Sequence, residues 1–343
     1  MNVLNTLFVA TQDAYIAQNH ETLEVRTDGR ASLIVPMHHL SAVACFGRVS
    51  VSPHAMFACM ARGISVAYFT ERGRFLGRVE GQINGNVMVR HLQHRISDDE
   101  QRSLVFVRGF VAGKLSNERT MLLRAIRDYS EPEDEIALIQ RAADGIGKCL
   151  RRAPEARSID RLRGLEGQAA AWFFEAFPYL IRRDRDAWGF STRNRRPPMD
   201  PANALLSFIY SLVLSDALSA VTGAGLDPNV GFLHVHRPGR PSLALDLMEE
   251  FRPVLAERLA LALINRGQLR PSDFVRHGGG SYQLRDGARK LVLTEYQERK
   301  RYEVLHPVLE QRMPLGYSIH AQARILGRCI RGDAAEYLPF LIR

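Results

Sequence analysis

The sequence predicts an α+β protein with a small β-rich N-terminal domain, residues 1–92, followed by a larger all-helical domain, residues 97–343. Two observations support this division. Short apolar runs separated by turn residues fill the first part of the chain, whereas beyond residue 97 the apolar residues recur at helical spacing. A chain of 343 residues is also long enough for two ordinary domains.

The first domain is predicted to contain seven strands and one helix. Asn19-His20-Glu21 and Asp28-Gly29 are typical hairpin links, and they separate three of the strands. Ser52-Pro53 and Gly63 enclose residues 54–62 with the start and stop signals of a helix. The predicted strands cover residues 7–10, 15–18, 22–26, 32–35, 42–51, 64–69 and 74–80.

The second domain opens with Ser97-Asp-Asp-Glu100, which has the pattern of a helix capping box. Segments rich in Pro, Gly, Asn and Arg separate the helical patterns that follow. His277-Gly-Gly-Gly280 lacks the Gly-Lys-Ser/Thr and the helix start of a phosphate-binding loop, so we interpret it as a flexible connection. The predicted helices cover residues 97–129, 132–150, 157–179, 200–222, 243–264 and 294–310.

The charge balance is strongly basic. Lys and Arg number 46 against 37 Asp and Glu, which leaves a net charge of +9 and a sequence pI near 9.7. The surplus is mostly arginine, whose planar guanidinium makes bidentate contacts with phosphate. The charge therefore favours a polyanionic partner such as nucleic acid, although many basic proteins bind none.

Cysteine usage and hydropathy predict a soluble cytoplasmic protein. Cys45, Cys59, Cys149 and Cys329 are far apart and form no CxxC pair, which fits reduced thiols better than disulfides or a zinc site. The first residues lack the basic and apolar regions of a signal peptide. No run approaches the ~18 apolar residues of a membrane span.

The segment from residue 231 to 253 carries the candidate chemistry. His234 lies on a loop, and Asp246 and Glu249 follow on one face of the next predicted helix. An imidazole with carboxylates forms a mixed N/O site suited to Mn²⁺ and tolerant of Mg²⁺. The alternative is an amphipathic helix with a solvated acidic edge, preceded by a hydrogen-bonded core histidine. Because His234 and His236 alternate along an extended segment, at most one of them faces the acids.

A third acid, Glu166, is flanked by glycines within a predicted helix. Gly164 and Gly167 each cost about 1 kcal/mol of helix stability relative to alanine. Such a cost is understandable where a ligand or another backbone must come close. A helix crossing through small residues explains the same pattern, so both interpretations stay open.

Four motifs occur in order along the chain: Arg163-Gly-Leu-Glu166-Gly, Asp200-Pro-Ala-Asn203, Gly-Phe-Leu-His234 and Asp246-Leu-Met-Glu249. With a β-rich front and a helical back, this combination resembles the CRISPR-associated integrase family, the universal endonuclease/integrases of spacer acquisition. The resemblance covers nearly the whole chain. It is greatest for the branch found with type I systems, with subtype I-C as the expected context.

The resemblance implies a divalent metal, Mg²⁺ or Mn²⁺, held by Glu166, His234 and Glu249, with Asp246 as an auxiliary catalytic acid. Many family members have aspartate at the position of Glu249. Glutamate there keeps the charge and lengthens the reach by one methylene. His236 has no ligand role in this correspondence.

The family joins the 3′-hydroxyl ends of a short DNA duplex to the repeat beside the leader by direct transesterification, so no protein nucleophile is expected. A metal can lower the pKa of the attacking hydroxyl and stabilise charge on the phosphate. Basic residues are expected to position phosphates, with strong salt dependence and little base reading. These residues are Arg193, Arg195 and Arg196 on a Pro-rich loop, Arg237, Arg240 and Arg252 around the acids, and Lys290 further along the chain.

The resemblance also implies partners. The β-rich domain is expected to form a homodimer, and two dimers are expected to flank a dimer of a small ferredoxin-like adaptation protein. An iron–sulfur exonuclease, as a separate chain, is expected to trim the DNA ends. Two other functions stay open: a stand-alone metal nuclease for branched DNA in repair, and a catalytically silent DNA-binding scaffold.

Overall fold

The structure, a computed structural model, describes residues 5–71, 73–81, 87–128, 132–195 and 197–342. A β-rich front region precedes a helical back region, which confirms the predicted α+β class. In its described residues the front region contains one α-helix, α1 (Pro53–Ala61), and a short 3-10 turn at Met37–His39. Its strands are β1 (Asn5–Val9), β2 (Ala14–Asn19), β3 (Thr22–Thr27), β4 (Arg30–Pro36), β5 (Leu40–Phe46), β6 (Val49–Val51), β7 (Ser65–Phe69) and β8 (Phe75–Val79).

These strands form two four-stranded sheets, with the orders β1-β5-β7-β8 and β4-β3-β2-β6. The predicted strand over residues 42–51 is divided at Gly47, so that β5 belongs to the first sheet and β6 to the second. Gly47 has a φ of 76°, and a Cβ atom there would collide with the side chain of Gln12. The chain therefore crosses between the sheets at a position whose backbone conformation favours glycine.

The first sheet joins the front region to the helices. Phe46 stacks on Phe69 with ring centroids 4.7 Å apart, and Phe46 also lies 6.0 Å from Phe208 on the back region. All three rings belong to the main apolar core, whereas a smaller core fills the space around the second sheet. Burial of aromatic surface thus fixes the front region against the helices.

Ten helices follow in the described part of the back region: α2 (Val87–Ser97), α3 (Glu100–Asp128), α4 (Glu133–Arg152), α5 (Ile159–Leu180), α6 (Arg185–Trp188), α7 (Pro201–Gly223), α8 (Ser242–Phe251), α9 (Arg258–Asn265), α10 (Asp286–Arg301) and α11 (Leu315–Arg331). A π-helical segment, Arg252–Glu257, joins α8 to α9. Two short hairpins also occur, β9 (Phe274–Arg276) with β10 (Tyr282–Leu284) and β11 (Glu303–Leu305) with β12 (Arg312–Pro314).

Parts of the helical prediction were wrong. The back region is helical but not all-helical, because the two hairpins interrupt it. The helix predicted over residues 294–310 begins at Asp286 and ends at Arg301, and β11 follows. Apolar residues on both sides of this boundary made a strand indistinguishable from a continued helix by periodicity.

The segment predicted to separate the domains, residues 92–97, is helical and belongs to α2. The capping box predicted at Ser97 is also absent. α3 begins at Glu100, and the Asp99 carboxylate accepts the backbone N–H of Arg102 at 3.1 Å. Ser97 instead donates its hydroxyl to the Gly231 carbonyl at 2.9 Å, so α2 contacts the loop that leads to His234.

Among the residues that the structure describes, one helix is long and apolar enough to meet the length and composition of a membrane span. α7 has a mean hydropathy of 1.8 in its most apolar window, and 61% of that window is buried inside the protein. The expectation that no segment approaches such a span was therefore wrong for α7. Its burial is typical of a central core helix.

Candidate active site

The candidate site lies where α3, α5 and α8 meet the loop that follows α7. Asp246, near the middle of α8, is fully buried and accepts three backbone N–H groups of this loop. The loop comes close enough because residue 231 is glycine, whose Cβ would lie 2.7 Å from the Asp246 carboxylate. Buried carboxylates need such donors, and here they fix the loop on the helix.

The His234 ring contacts two of the predicted acids. Its Nδ1 lies 2.7 Å from Asp246 Oδ1, and its Nε2 lies 3.9 Å from Glu249 Oε1. His236 faces another way and contacts the Gly231 carbonyl at 3.0 Å. The expectation that at most one of the two histidines faces the acids is confirmed.

Glu249 is surrounded by cations. Arg252 Nη1 contacts its two carboxylate oxygens at 2.9 and 3.0 Å, and Lys114 Nζ contacts Oε2 at 2.7 Å. The same ammonium also contacts Glu166 on α5, so Lys114 bridges the two glutamates. The fold thus brings together Glu166, His234, Asp246 and Glu249, which lie far apart in sequence.

Burial and charge act in opposite directions on these groups. Burial alone would raise the pKa of Glu249, but Arg252 and Lys114 outweigh it and hold that pKa well below the usual range. Burial alone would lower the pKa of Lys114, but the carboxylates, Glu249 above all, outweigh it and raise that pKa. Both groups are therefore ionised at neutral pH.

The acidic edge of α8 is not solvated. Asp246 and Glu250 are fully buried and Glu249 is 6% exposed, which excludes the interpretation of an amphipathic surface helix. Glu250 has a different environment from its neighbour, since it accepts hydrogen bonds from Gln322 and from the tail residues Tyr337 and Phe340. Its role is to anchor the C-terminal segment.

The donors have the chemistry of a divalent-cation site, an imidazole nitrogen with two carboxylates. In the part of the chain that the structure describes, however, no three such side chains are arranged to hold a metal ion directly. A positive group already stands between two of them, because the Lys114 ammonium joins Glu166 to Glu249. The space between Glu166 and Glu249 therefore accommodates a cation, which in this structure is the Lys114 ammonium.

A large cleft opens beside His234 and Glu249. Its volume is about 1600 Å³, and the described residues that line it include nine arginines and only three acids. The front region contributes two of the arginines and α10 with its preceding turn two more. The nine are Arg74, Arg78, Arg193, Arg195, Arg237, Arg240, Arg252, Arg285 and Arg289. This excess of positive charge suits a polyanion.

Not all predicted DNA contacts have the expected placement. Arg195 and Arg237 are exposed in the cleft, and Arg240 is partly exposed there. Arg193 is largely occupied, because its guanidinium donates to Asn203 at 2.7 Å and to Ser207 at 3.1 Å.

Arg252 differs most from expectation, since its side chain is only 5% exposed and is committed to Glu249 and Tyr210. Lys290 is exposed on α10 but does not line the cleft. Arg196 lies outside the described residues. DNA contact thus stays a prediction, and it applies mainly to the exposed and partly exposed arginines of the cleft, Arg195, Arg237 and Arg240.

Sequence reasoning missed Lys114. A signal was present, because Lys114 follows Val107 and Val111 at helical spacing on a buried stripe of α3. A lysine in such a stripe requires a carboxylate partner, although nothing local says which one.

The helix-crossing interpretation of the glycines beside Glu166 is excluded. A Cβ atom added at Gly164 or Gly167 would meet nothing within 4 Å, and both residues are exposed. The surface of α5 beside Glu166 is therefore open, which leaves room for a ligand.

Fold and site together define a class of protein, an α+β chain whose arginine-lined cleft ends at a buried histidine–carboxylate cluster. The chain belongs to the CRISPR associated protein Cas1 family, whose model matches residues 7–298. It is 45% identical to a CRISPR-associated endonuclease Cas1 of Moorella thermoacetica, with 99% of each chain covered. It is 47% identical to another of Rhodospirillum rubrum, with 98% of each covered.

A further relative is a fusion of the exonuclease Cas4 with the endonuclease Cas1 in Rhodospirillum rubrum. It is 38% identical over 96% of this chain and 56% of the fusion.

Solved structures confirm the fold. A Cas1 protein from Thermotoga maritima superposes with a TM-score of 0.82 at 22% identity, covering 99% of this chain and 100% of that one. A casposase bound to its integration product also gives 0.82, at 20% identity over 98% of this chain and 93% of that one. A chain of a Cas6-RT-Cas1–Cas2 complex gives 0.82 at 23% identity, covering 99% and 36%.

Proposed function

We propose that this chain is a divalent-metal-dependent DNA integrase and endonuclease of CRISPR spacer acquisition. It joins the 3′-hydroxyl ends of a short DNA duplex to a phosphodiester of the repeat array. The observation that carries the proposal is the meeting of His234 and Glu249, with Glu166 behind them, at the edge of an arginine-lined cleft. Family membership and the relatives named as endonucleases support the same function.

Each residue of the site would have a separate role. Glu166, His234 and Glu249 would hold Mg²⁺ or Mn²⁺, which when bound would lower the pKa of the attacking hydroxyl and stabilise charge on the phosphate. Asp246 accepts the Nδ1 hydrogen of His234 and leaves Nε2 directed toward Glu249. The exposed arginines of the cleft would hold the phosphates in line with the attacking hydroxyl.

The partners are also proposals. We expect a homodimer through the front region, where β4 is an edge strand with Leu33 and Ile34 exposed by 48% and 57%. The likeness to a chain of a Cas6-RT-Cas1–Cas2 complex supports a small Cas2-type partner, and the Cas4/Cas1 fusion supports an iron–sulfur exonuclease. A type I-C system in the cytoplasm is the expected setting.

The test combines the chain and its small partner with a 3′-hydroxyl duplex and a supercoiled repeat–leader plasmid, in Mn²⁺ or in EDTA. We expect joining in Mn²⁺ only, and its loss in His234→Ala and Glu249→Ala. His236→Ala is the matched control, because its ring does not face the acids. Tight DNA binding without joining would indicate a silent scaffold. Partner-independent cleavage of branched DNA without joining would indicate a repair nuclease.

A further inference from the structure

The oxygens that would face a metal ion are covered by cations of the protein itself. The Lys114 side chain is 2% exposed, and its Nζ contacts both Glu249 Oε2 and Glu166. Arg252 covers the two oxygens of Glu249 from another direction. A divalent ion therefore enters this site only if at least one of these groups gives up its carboxylate partners.

Arg252 is firmly held. Its guanidinium lies 4.4 Å above the Tyr210 ring, donates to the Tyr210 hydroxyl at 3.2 Å, and lies 3.9 Å from Glu257. A planar guanidinium with partners on its face and its edge must leave all of them when it moves. Arg252 is thus the cation that remains bound to Glu249 when a divalent ion enters.

Lys114 has somewhere else to go. Its ammonium is a point charge on a flexible four-carbon chain, and the next turn of α3 presents Glu118 on the same face. Glu118 is 1% exposed, and its Oε2 has no hydrogen-bond partner among the described residues. Buried carboxylate oxygens without partners are rare, and a second position of the lysine would supply one.

We propose that Lys114 is a built-in substitute cation, which holds Glu166 and Glu249 together until a divalent ion enters and then moves to Glu118. The inference rests on the proposed metal-dependent function. The Lys114 ammonium has opposite effects in the two states of the site. Without metal, Lys114 keeps the buried Glu249 and the partly buried Glu166 paired and the site assembled. With metal, it competes for the same oxygens and weakens binding.

Two substitutions in the full chain should therefore change metal affinity in opposite directions. Lys114→Met removes the competitor, so the Kd for Mn²⁺ in isothermal titration calorimetry should fall by roughly tenfold. The same variant should unfold at a lower temperature without metal and gain more from added Mn²⁺. Glu118→Gln removes the negative charge that would hold the ammonium in its second position, so the Kd of this variant for Mn²⁺ should rise several-fold.

Lys300→Met is the matched control. Lys300 is also a buried lysine, 5% exposed and 2.9 Å from Asp216, but its partners lie away from the candidate site. This variant should lose stability and keep the wild-type Kd for Mn²⁺. The comparison separates competition for the metal from the general damage of removing a buried charge.

If Lys114→Met does not fold, NMR of the unaltered protein can test whether Lys114 moves when a divalent ion binds. The chain contains only four lysines, so lysine labelled with ¹³C and ¹⁵N yields few side-chain signals. Mg²⁺ should shift the Lys114 signal and leave that of Lys300 in place.

Three results would overturn the lysine's role: unchanged or weaker Mn²⁺ binding by Lys114→Met, unchanged or tighter binding by Glu118→Gln, or an unmoved Lys114 signal. Absence of Mn²⁺ binding by the wild-type chain would instead overturn the metal-dependent function itself.

Discussion

Oδ1 of Asp246 accepts hydrogen bonds from both the backbone nitrogen and the ring Nδ1 of His234, at 2.9 and 2.7 Å. Its other oxygen accepts the backbone N–H groups of Phe232 and Leu233 at 2.6 and 3.0 Å. One buried carboxylate thus sets the path of the loop, the plane of the ring and its tautomer. Asp246, predicted as an auxiliary acid, has the contacts of a positioning residue.

Asp246→Asn should separate this positioning role from DNA binding. An amide keeps one acceptor oxygen but turns an NH₂ group toward N–H groups, so the loop loses part of its support. We expect Mn²⁺ affinity and joining rate to fall by about 10- to 100-fold, as for other partners of metal-bound histidines. DNA affinity should not change. Wild-type joining by this variant would show that the ring needs no such support.

The loop is also held from its other side, by Gln93 on α2. This fully buried amide donates to the carbonyls of Asp227 and Val230 at 2.8 and 2.6 Å and accepts the Asp227 N–H at 2.9 Å. Gln93→Ala should cost about 1–3 kcal/mol, because it leaves buried backbone groups unpaired. Hydrogen exchange of residues 227–234 should accelerate. Gln101→Ala, at an exposed position of α3, should leave it unchanged.

The front region could be predicted from sequence because its signals are local. The link at residues 19–21 forms the β2–β3 turn, and Asp28-Gly29 forms the β3–β4 turn with φ angles of 51° and 75°. Such turns depend on residues that adopt positive φ, which the sequence displays directly. The helix α1 likewise begins at Pro53 after a serine cap, as predicted.

The sequence motifs predicted which acids and which histidine form the site. They did not predict the cations that pair with these acids. Spacing placed Asp246 and Glu249 on one helix, yet the burial of both depends on α3, which lies more than a hundred residues earlier. The pairing of Lys114 with Glu166 and Glu249 is likewise a tertiary contact without a local signal. For the same reason Arg252 resembles a DNA contact in the sequence, although its guanidinium lies over the Tyr210 ring in the structure.

The exposed arginines of the cleft should govern the salt dependence of DNA binding. Arg237 and Arg240 line the cleft beside the site, and each phosphate that is no longer neutralised should reduce the slope of log K against log salt by about 0.9. Arg237→Ala with Arg240→Ala should therefore weaken duplex binding and flatten that slope, as fluorescence anisotropy at several salt concentrations would measure. Lys290→Ala should have a smaller effect, because Lys290 lies outside the cleft. Equal effects would place the DNA elsewhere.

Two glycines near the site should respond oppositely to alanine. At Gly231 a Cβ would lie 2.7 Å from Asp246 and from the backbone of Ser242, so overpacking should destabilise the fold by about 1–3 kcal/mol. At Gly164 the space is open, so alanine should stabilise α5 by up to about 1 kcal/mol. Thermal unfolding measures both. If the Gly164 variant is more stable but binds DNA less well, DNA approaches α5 beside Glu166. Equal destabilisation by the two alanines would contradict the close contact at Gly231 and the open space at Gly164.

A buried histidine should make the protein sensitive to mild acid. His306 is fully buried, and its Nδ1 accepts the backbone N–H groups of Val308 and Leu309 at 3.3 and 3.2 Å. Burial lowers its pKa from 6.5 to about 4. The unfolded chain therefore gains a proton first as pH falls, and stability present above pH 6.5 is lost progressively toward pH 4.

The loss assigned to His306 is at most about 3 kcal/mol, and His320, whose pKa burial also lowers to about 4, adds to it. His306→Leu removes the first of these contributions, so its free energy of unfolding should fall less steeply between pH 6.5 and 4 than that of the wild type. Urea unfolding at several pH values measures the slope. His54→Gln, at an exposed histidine, should keep the wild-type slope. An unchanged slope in His306→Leu would mean that the pKa of His306 is not lowered in the folded protein.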